Sequence, residues 1–202
     1  MGSWPPRWIT PTPEEALAVS HGIKASDFID AFAVVTKDSV GGKAGDPLRL
    51  RDWQRELLIQ AFASNGSGFK HRVNLVGQPR KNGKSALASG IALWSLLTGP
   101  KGGEVYSCAA DKDQARIVFG EAKKMLEADP DLSEMAKIYR DAIEIPSTGS
   151  VYRVLSAEAF TKEGLSPTMV IFDELHAQPD RELFDVMQLA QGSRGDLATM
   201  FC

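Results

Sequence analysis

Cysteine is nearly missing from this chain: two in 202 residues, Cys108 and Cys202. Each falls in an apolar stretch that reads as a strand, and neither has a neighbour at metal-ligand spacing, so a reduced, cytosolic protein is the default expectation. Histidine is equally sparse. His21, His71 and His176 stand far apart in sequence and suggest no zinc site. No apolar run approaches the ~20 residues of a membrane span, and the Trp4-Pro-Pro-Arg-Trp8 segment lacks the basic-then-apolar order of a signal peptide. Nor is there an excess of one charge. Lysine plus arginine number 23 against 26 acids, a net charge of −3, which argues against a protein that coats nucleic acid by bulk electrostatics. A local basic surface remains open, because Lys70-His71-Arg72 and Arg80-Lys81 lie close together in sequence. Repeats and low-complexity tracts are also absent.

What is present suits a folded domain: 43% hydrophobic and 24% charged residues, enough chain for one full core with a small appendage. Residues 1–13 hold four prolines and two tryptophans and read as an extended arm packed on the surface. A helix is expected after Pro13 with Thr12 as N-cap and Glu14 and Glu15 in its first turn. A second helix is expected from Ser26-Asp27, carrying Phe28, Ile29, Phe32 and Val35 at helical spacing. Glycine-rich turn chemistry follows at 41–47, then a third helix from Arg51 to about Ala63. From there strands and helices alternate: strand 73–77, helix 84–97, strand 104–109, helix 111–128 with Asp111 as N-cap, a hairpin of 142–145 and 151–155, strand 169–173, helix 181–191, and a last strand beginning at 198. Several of these strands are apolar throughout, which predicts an α/β fold with a mostly parallel sheet covered by helices on both faces. The expected division is a helical extension over 1–48 and a nucleotide-binding core over 49–202.

The most telling stretch is Gln78-Pro-Arg-Lys-Asn-Gly-Lys-Ser85, set between a short apolar run and a helix-like run. Strand, tight loop ending in Gly-Lys-Ser, then helix is the arrangement of a P-loop NTPase. Backbone N–H groups and the helix N-terminus meet phosphate charge, the lysine reaches the outer phosphates, and the serine hydroxyl ligates Mg²⁺. The usual first glycine of the pattern is displaced by one residue to Gly77, and Gln78 stands in its place, which puts Pro79 and Arg80 inside the loop. Gln78, Pro79, Arg80, Lys81, Asn82, Gly83, Lys84 and Ser85 are therefore candidate ATP-binding residues.

A second motif, Met169-Val-Ile-Phe-Asp173-Glu174, ends a buried strand in two carboxylates, at the edge where open α/β sheets bind ligands. Asp173 is the candidate Mg²⁺ ligand opposite Ser85, and Glu174 the candidate base that polarises water for attack on the γ-phosphate. Standing alone, an Asp-Glu pair is as good a helix start as a site. Paired with a Gly-Lys-Ser loop it favours ATP hydrolysis. The acid directly after the aspartate also suggests the additional-strand, catalytic-glutamate (ASCE) division of these ATPases, with residues 104–109 supplying the strand between the two motifs. Arg80 lies four residues before Lys84, where a guanidinium could reach a phosphate or a neighbouring subunit; a plain surface cation is the alternative. Trp53 and Gln54, at a helix start, could stack on adenine and bond its edge, although a tryptophan there is often core. Ser107–Gln114 suits helix capping better than nucleotide sensing, and Thr161–Pro167 reads as a connection or a substrate-facing loop.

Together these residues resemble the large terminase subunit of tailed bacteriophages, the ATPase motor that packages DNA into procapsids. The resemblance runs from about Ala25 onward. It rests on Leu50-Arg-Asp-Trp53-Gln54, the loop from Pro79 to Ser85, Ala109-Ala-Asp-Lys-Asp-Gln114, Gly164-Leu-Ser-Pro167 and Val170-Ile-Phe-Asp173-Glu174-Leu-His176. The resemblance implies that Trp53 and Gln54 belong to an adenine-binding motif. It also implies that Lys84 and Ser85 bind phosphate and Mg²⁺, that Asp173 completes the metal site, and that Glu174 is the catalytic base. Arg80 becomes a catalytic arginine acting in cis or on a neighbour's ATP. No role is assigned to His176 or Gln114. The implied partners are double-stranded DNA, a portal protein and procapsid, a small terminase subunit and further copies of the chain in a ring, within the cytoplasm of an infected bacterial host.

Two departures accompany it. The family's coupling motif, rich in Thr, Ala and Gly, is expected after the strand that begins at Ala198, and its RNase H-like nuclease domain is not represented in the 202 residues. The expectation is a chain that hydrolyses ATP, has no nuclease activity, and leaves open hydrogen bonds where its last strand stops. Two other readings stay open: a nucleotide-binding or assembly module without coupled turnover, and a superfamily 2-like helicase fragment.

Overall fold

The apolar runs become strands because their side chains can be buried on both faces of one sheet. The computed structural model describes residue 6 and residues 8–39, 42–79, 81–157 and 164–202. Among them seven strands join in a single sheet: β1 (Val73–Asn74), β2 (Glu104–Ala109), β3 (Lys137–Ile138), β4 (Ala142–Ile145), β5 (Ser150–Ser156), β6 (Pro167–Phe172) and β7 (Thr199–Phe201). The spatial order is β1-β7-β6-β2-β5-β4-β3. The first five in that order are parallel, and β4 and β3 close the far edge as antiparallel strands after a hairpin.

This order corrects the sequence reading in two ways. The strand lying between the two motif strands β1 and β6 is β7; residues 104–109 form β2, on the far side of β6. A strand at that position has both of its edges paired. Accordingly β7 registers Val73 against Met200 on one side and Val170 against Met200 on the other, and all three of its residues are buried. The expected open edge at the last strand is therefore not found, and the sheet's edges are β1 and β3. β1 is also shorter than the five residues expected, although Val76 N–H still donates to the Cys202 carbonyl at 2.7 Å.

Alternation along the strands builds two cores. One face carries Val105, Ala109, Tyr152, Met169, Ile171 and Phe201, which pack against α4 (Lys84–Thr98) and α5 (Lys112–Ala128). α4 is buried from Leu87 to Leu96, as its almost wholly apolar sequence requires. α2 (His21–Phe32) and α3 (Asp52–Ala61) form a further layer, and Ala25 and Ile29 of α2 enter the same core. The opposite face, with Tyr106, Cys108, Val170, Phe172 and Met200, is covered by Leu183 and Met187 of the helix Glu182–Ala190. Among the described residues no helix is long and apolar enough to cross a membrane.

The helix starts near the N-terminus differ from expectation for identifiable reasons. α1 (Glu14–Ala18) begins after Pro13 without a side-chain cap, because the Thr12 hydroxyl is engaged with the Thr10 carbonyl and with His71 Nε2. α2 begins at His21, capped by Ser20, whose Oγ accepts from Gly22 N–H at 3.0 Å and donates to the Ile59 carbonyl at 2.7 Å. Ser26, the expected start, lies a turn inside the helix and bonds back to the Gly22 carbonyl. Elsewhere an acid clamps α5 to the β3–β4 turn. Asp141 takes two bonds from Arg116, at 2.7 and 3.0 Å, and a third contact from Lys112 at 3.0 Å.

Gly22 marks the closest approach of α2 to α3: a Cβ there would lie 2.0 Å from the Leu58 carbonyl oxygen. Gly22→Ala gains about 1 kcal/mol of helix propensity. It must also push two backbones apart, so the net result should be a loss of roughly 1–3 kcal/mol or more, seen as a lower urea midpoint. Unchanged stability would show that the two helices do not pack this closely. A second expectation concerns pH. The Arg116 guanidinium, with help from Lys112, holds the Asp141 carboxyl well below the usual carboxylate range. A depressed carboxylate adds stability above its unfolded pKa of about 3.9 and loses it as pH falls toward the folded value. Asp141→Asn should therefore lower the urea midpoint at pH 7 and matter progressively less below about pH 4. A pH-independent difference would count against the clamp.

Candidate functional site

Residues 75–79 leave the end of β1 and turn back into α4 through two left-handed positions, Lys81 (φ 67°) and Gly83 (φ 76°). Glycine takes that conformation freely and lysine does so only under constraint, which marks this as a tightly turned loop. Gly83 is the N-cap of α4, and no side chain caps that helix end. The first N–H groups of α4 and the positive end of its dipole thus face the inside of the loop, an arrangement suited to phosphate. Arg80 lies outside the described residues.

Lys84 and Ser85 open α4. The Lys84 ammonium stands 3.0 Å from Asp173 Oδ1 and 2.9 Å from Glu174 Oε1. Asp173 is almost wholly buried, and its N–H continues the sheet by donating to the Cys108 carbonyl at 3.1 Å. Glu174 then breaks into the left-handed region (φ 48°, ψ 53°), which turns its side chain away from the line of β6 and toward Lys84. Burial works against the Lys84 charge, but the hydrogen bonds with Glu174 and Asp173 outweigh it and raise the lysine's pKa. The cluster therefore holds one firm positive charge between two carboxylates. His176, to which the sequence assigned no role, places Nδ1 3.3 Å from the other Glu174 oxygen.

The residues expected to bind a base assemble on the other side of the loop. Gln54 Oε1 accepts from Arg51 N–H at 2.9 Å and closes the start of α3, while its Nε2 lies next to the loop, 4.0 Å from where a Gly83 Cβ would be. Trp53, Gln78, Pro79 and Asn82 line a cavity of about 590 Å³ that runs along the loop. The Trp53 indole N–H and both amide atoms of Gln78 are buried without a hydrogen-bond partner among the described residues. Lys84, Ser85, Asp173 and Glu174 do not line that cavity. The loop thus separates a partly apolar chamber from a charged cluster, as a nucleotide with an apolar base and a charged tail requires.

Other sequence candidates sort differently. Asp111 caps α5 by accepting from Gln114 N–H at 2.8 Å, and Lys112 is tied to Asp141, so that motif is spent on structure. Residues 161–163 lie outside the described set. Gly164–Pro167 leads into the start of β6, where Ser166 N–H donates to Glu104 Oε2 at 2.9 Å, at the opposite end of the strand from Asp173. At ~3.3 Å per residue that is roughly 20 Å from the carboxylates. No group of three or more His, Cys, Asp or Glu able to hold a metal occurs among the described residues. One buried carboxylate and one hydroxyl, Asp173 and Ser85, nonetheless fit Mg²⁺, which takes few protein oxygens and completes its shell with phosphate and water.

Comparison with known proteins agrees with this geometry. Residues 52–201 match the family described as terminase large subunit, ATPase domain. The large terminase subunit of Enterobacteria phage HK97 is 32% identical over 183 residues, covering 87% of this chain and 35% of that protein. The large subunit of Lactococcus phage p2 is 28% identical over 135 residues, covering 61% of this chain and 25% of that one. The chain thus spans about a third or less of the relatives it matches. The crystal structure of the HK97 large terminase superposes with a TM-score of 0.76 at 27% identity, over 90% of this chain and 37% of that one. The large terminase ATPase domain of Thermus phage P74-26, at 21% identity and a TM-score of 0.55 over 75% of this chain and 64% of that one, shares the fold. The loop, the acid pair, the parallel sheet and the match across 52–201 place this chain in the family of phage terminase large subunit ATPase domains.

Proposed function

We propose that this chain hydrolyses ATP to ADP and phosphate at the Lys84–Asp173–Glu174 cluster, and that the energy drives double-stranded DNA into a procapsid. The observation that carries the reading is the Lys84 ammonium, at the head of a helix, within 3.0 Å of both strand-end carboxylates. In this reading the triphosphate lies along residues 77–85 with its charge toward the head of α4, and the base occupies the chamber beside Trp53. Ser85 and Asp173 would hold Mg²⁺, which when bound would neutralise charge on the phosphate oxygens. Glu174 orients a water and takes its proton as the water oxygen attacks the γ-phosphorus and the bond to ADP breaks. Lys84 has to exchange its carboxylate partners for phosphate oxygens, a swap between charge-assisted bonds of similar kind.

Arg80, by the resemblance, stabilises the charge of the transition state in its own site or a neighbour's. Coupling is supported by the place of β7. It is hydrogen-bonded both to β1, which leads into the loop, and to β6, which leads into the carboxylates. Displacement at either motif is therefore felt by the same strand. A portal protein, a small terminase subunit, other copies of the chain in a ring and a host-cytoplasm setting belong to this proposal through the family.

Glu174→Gln should lower the rate of phosphate release roughly 10²–10⁴-fold while ATP affinity stays within a few-fold. Turnover equal to the unaltered chain would remove Glu174 as the base. Mixing Arg80→Ala with Glu174→Gln protein tests the arginine. Recovered turnover in the mixture indicates an arginine acting on a neighbour's ATP, and activity that stays at the sum of the two variants indicates action in its own site.

A further inference from the structure

The loop and α3 form only part of the chamber beside Trp53. Its outer side is made by the N-terminal segment, with Trp8, Ile9, Thr10 and Thr12 lining it, and by His71 at the entry to β1. This segment lies outside the 52–201 stretch that defines the family match. It is held in place by the contact of the Thr12 hydroxyl with His71 Nε2 at 3.2 Å. That hydroxyl has one proton. When the proton is donated to the Thr10 carbonyl, the oxygen is left to accept from the ring N–H. Burial and the nearby Lys70 lower the His71 pKa, and the Nε2–H donor to Thr12 is available in the neutral Nε2–H tautomer and in the protonated ring alike.

Trp8 is the unexpected element. It lines the chamber and is 81% exposed, so part of its ring stands at the chamber's solvent side. Trp53 lines the same space. Two indoles lining one partly apolar chamber suit a flat heteroaromatic ligand better than an aliphatic one. The chamber volume, about 590 Å³, lies within the range of small-ligand sites.

We propose that residues 8–12 are the outer wall of the nucleobase site, with Trp8 as a stacking residue and the Thr12–His71 contact as the pin that positions it. This inference rests on the ATP-binding reading, since it concerns the base half of the same site. The wall grips the base and contributes nothing to the phosphates, so affinity for ATP and for a baseless polyphosphate should respond differently to its loss.

The test measures binding of Mg·ATP and of Mg·tripolyphosphate to the full chain carrying Trp8→Ser or Thr12→Val, with Lys84→Ala as reference. Trp8 is exposed, so its replacement leaves the core intact; circular dichroism and the urea midpoint check both variants. Trp8→Ser should weaken ATP roughly tenfold and leave tripolyphosphate within twofold, and Thr12→Val should do the same to a smaller degree. Lys84→Ala should weaken both ligands. ATP binding that depends on Lys84 but is indifferent to Trp8 and Thr12 overturns the wall and leaves the site reading standing. Equal weakening of both ligands by Trp8→Ser also overturns it. ATP binding that does not depend on Lys84 overturns the site reading and the wall together.

Discussion

One ion cluster ties together the two motifs of this domain. Lys84 comes from the first turn of a buried helix, and Asp173 and Glu174 from the end of a buried strand, and they meet at 3.0 and 2.9 Å. None of the three is placed by its own flexibility. α4 is fixed because nearly every residue from Leu87 to Leu96 is buried, and β6 because it is buried along its whole length between β7 and β2. The left-handed turn at Glu174 is tolerated because the cluster it completes offsets a strain of order 1–3 kcal/mol. The site is thus a by-product of packing two rigid elements head to head, and its charges are satisfied by one another.

The molecule also divides its labour between the two sides of the loop. Charge collects on one side, around Lys84, and a half-apolar chamber with partnerless buried polar atoms on Trp53 and Gln78 lies on the other. Buried donors and acceptors without partners are rare because each costs about 1–3 kcal/mol. Among the described residues such atoms occur on Trp53 and Gln78, which border the cavity, and on Gln178, which does not. The opposite end of the sheet shows the contrary pattern. There Glu104 accepts from Tyr106 and Ser166, and Arg194 binds the Ser166 and Gly102 carbonyls, a closed set of polar contacts with only structural work to do.

Much of this was legible in the residues. The limits of β2 and the capping of α5 by Asp111 follow from strong local signals, a continuous apolar run and an Asp before a helical pattern. The loop and the acid pair stood out because their residue types and spacing are unusual, and the structure brings Lys84 of the one to Asp173 and Glu174 of the other. Contacts across the chain were not readable. That Ser20 rather than Ser26 starts α2 depends on the Ile59 carbonyl, thirty-nine positions away. That Thr12 forgoes capping depends on His71. Neither partner leaves a local trace. The place of β7 was hidden for the same reason: a short buried strand fits any slot in a parallel sheet, and only the crossovers decide. The place of residues 8–12 along the chamber left one hint, two tryptophans in thirteen residues, which composition alone assigns to surface packing.

The position of β7 has a consequence for how the domain comes into being. Among the described residues β1 pairs in the sheet only with β7, so the strand that leads into the loop completes its backbone hydrogen bonds only once residues 199–201 are in place. Pairings between such distant segments form late, because a long loop must close before any contact rewards it. The nucleotide loop, encoded before most of the sheet, should therefore be among the last parts to acquire its shape. Assembly of the fold and assembly of the site end in the same step.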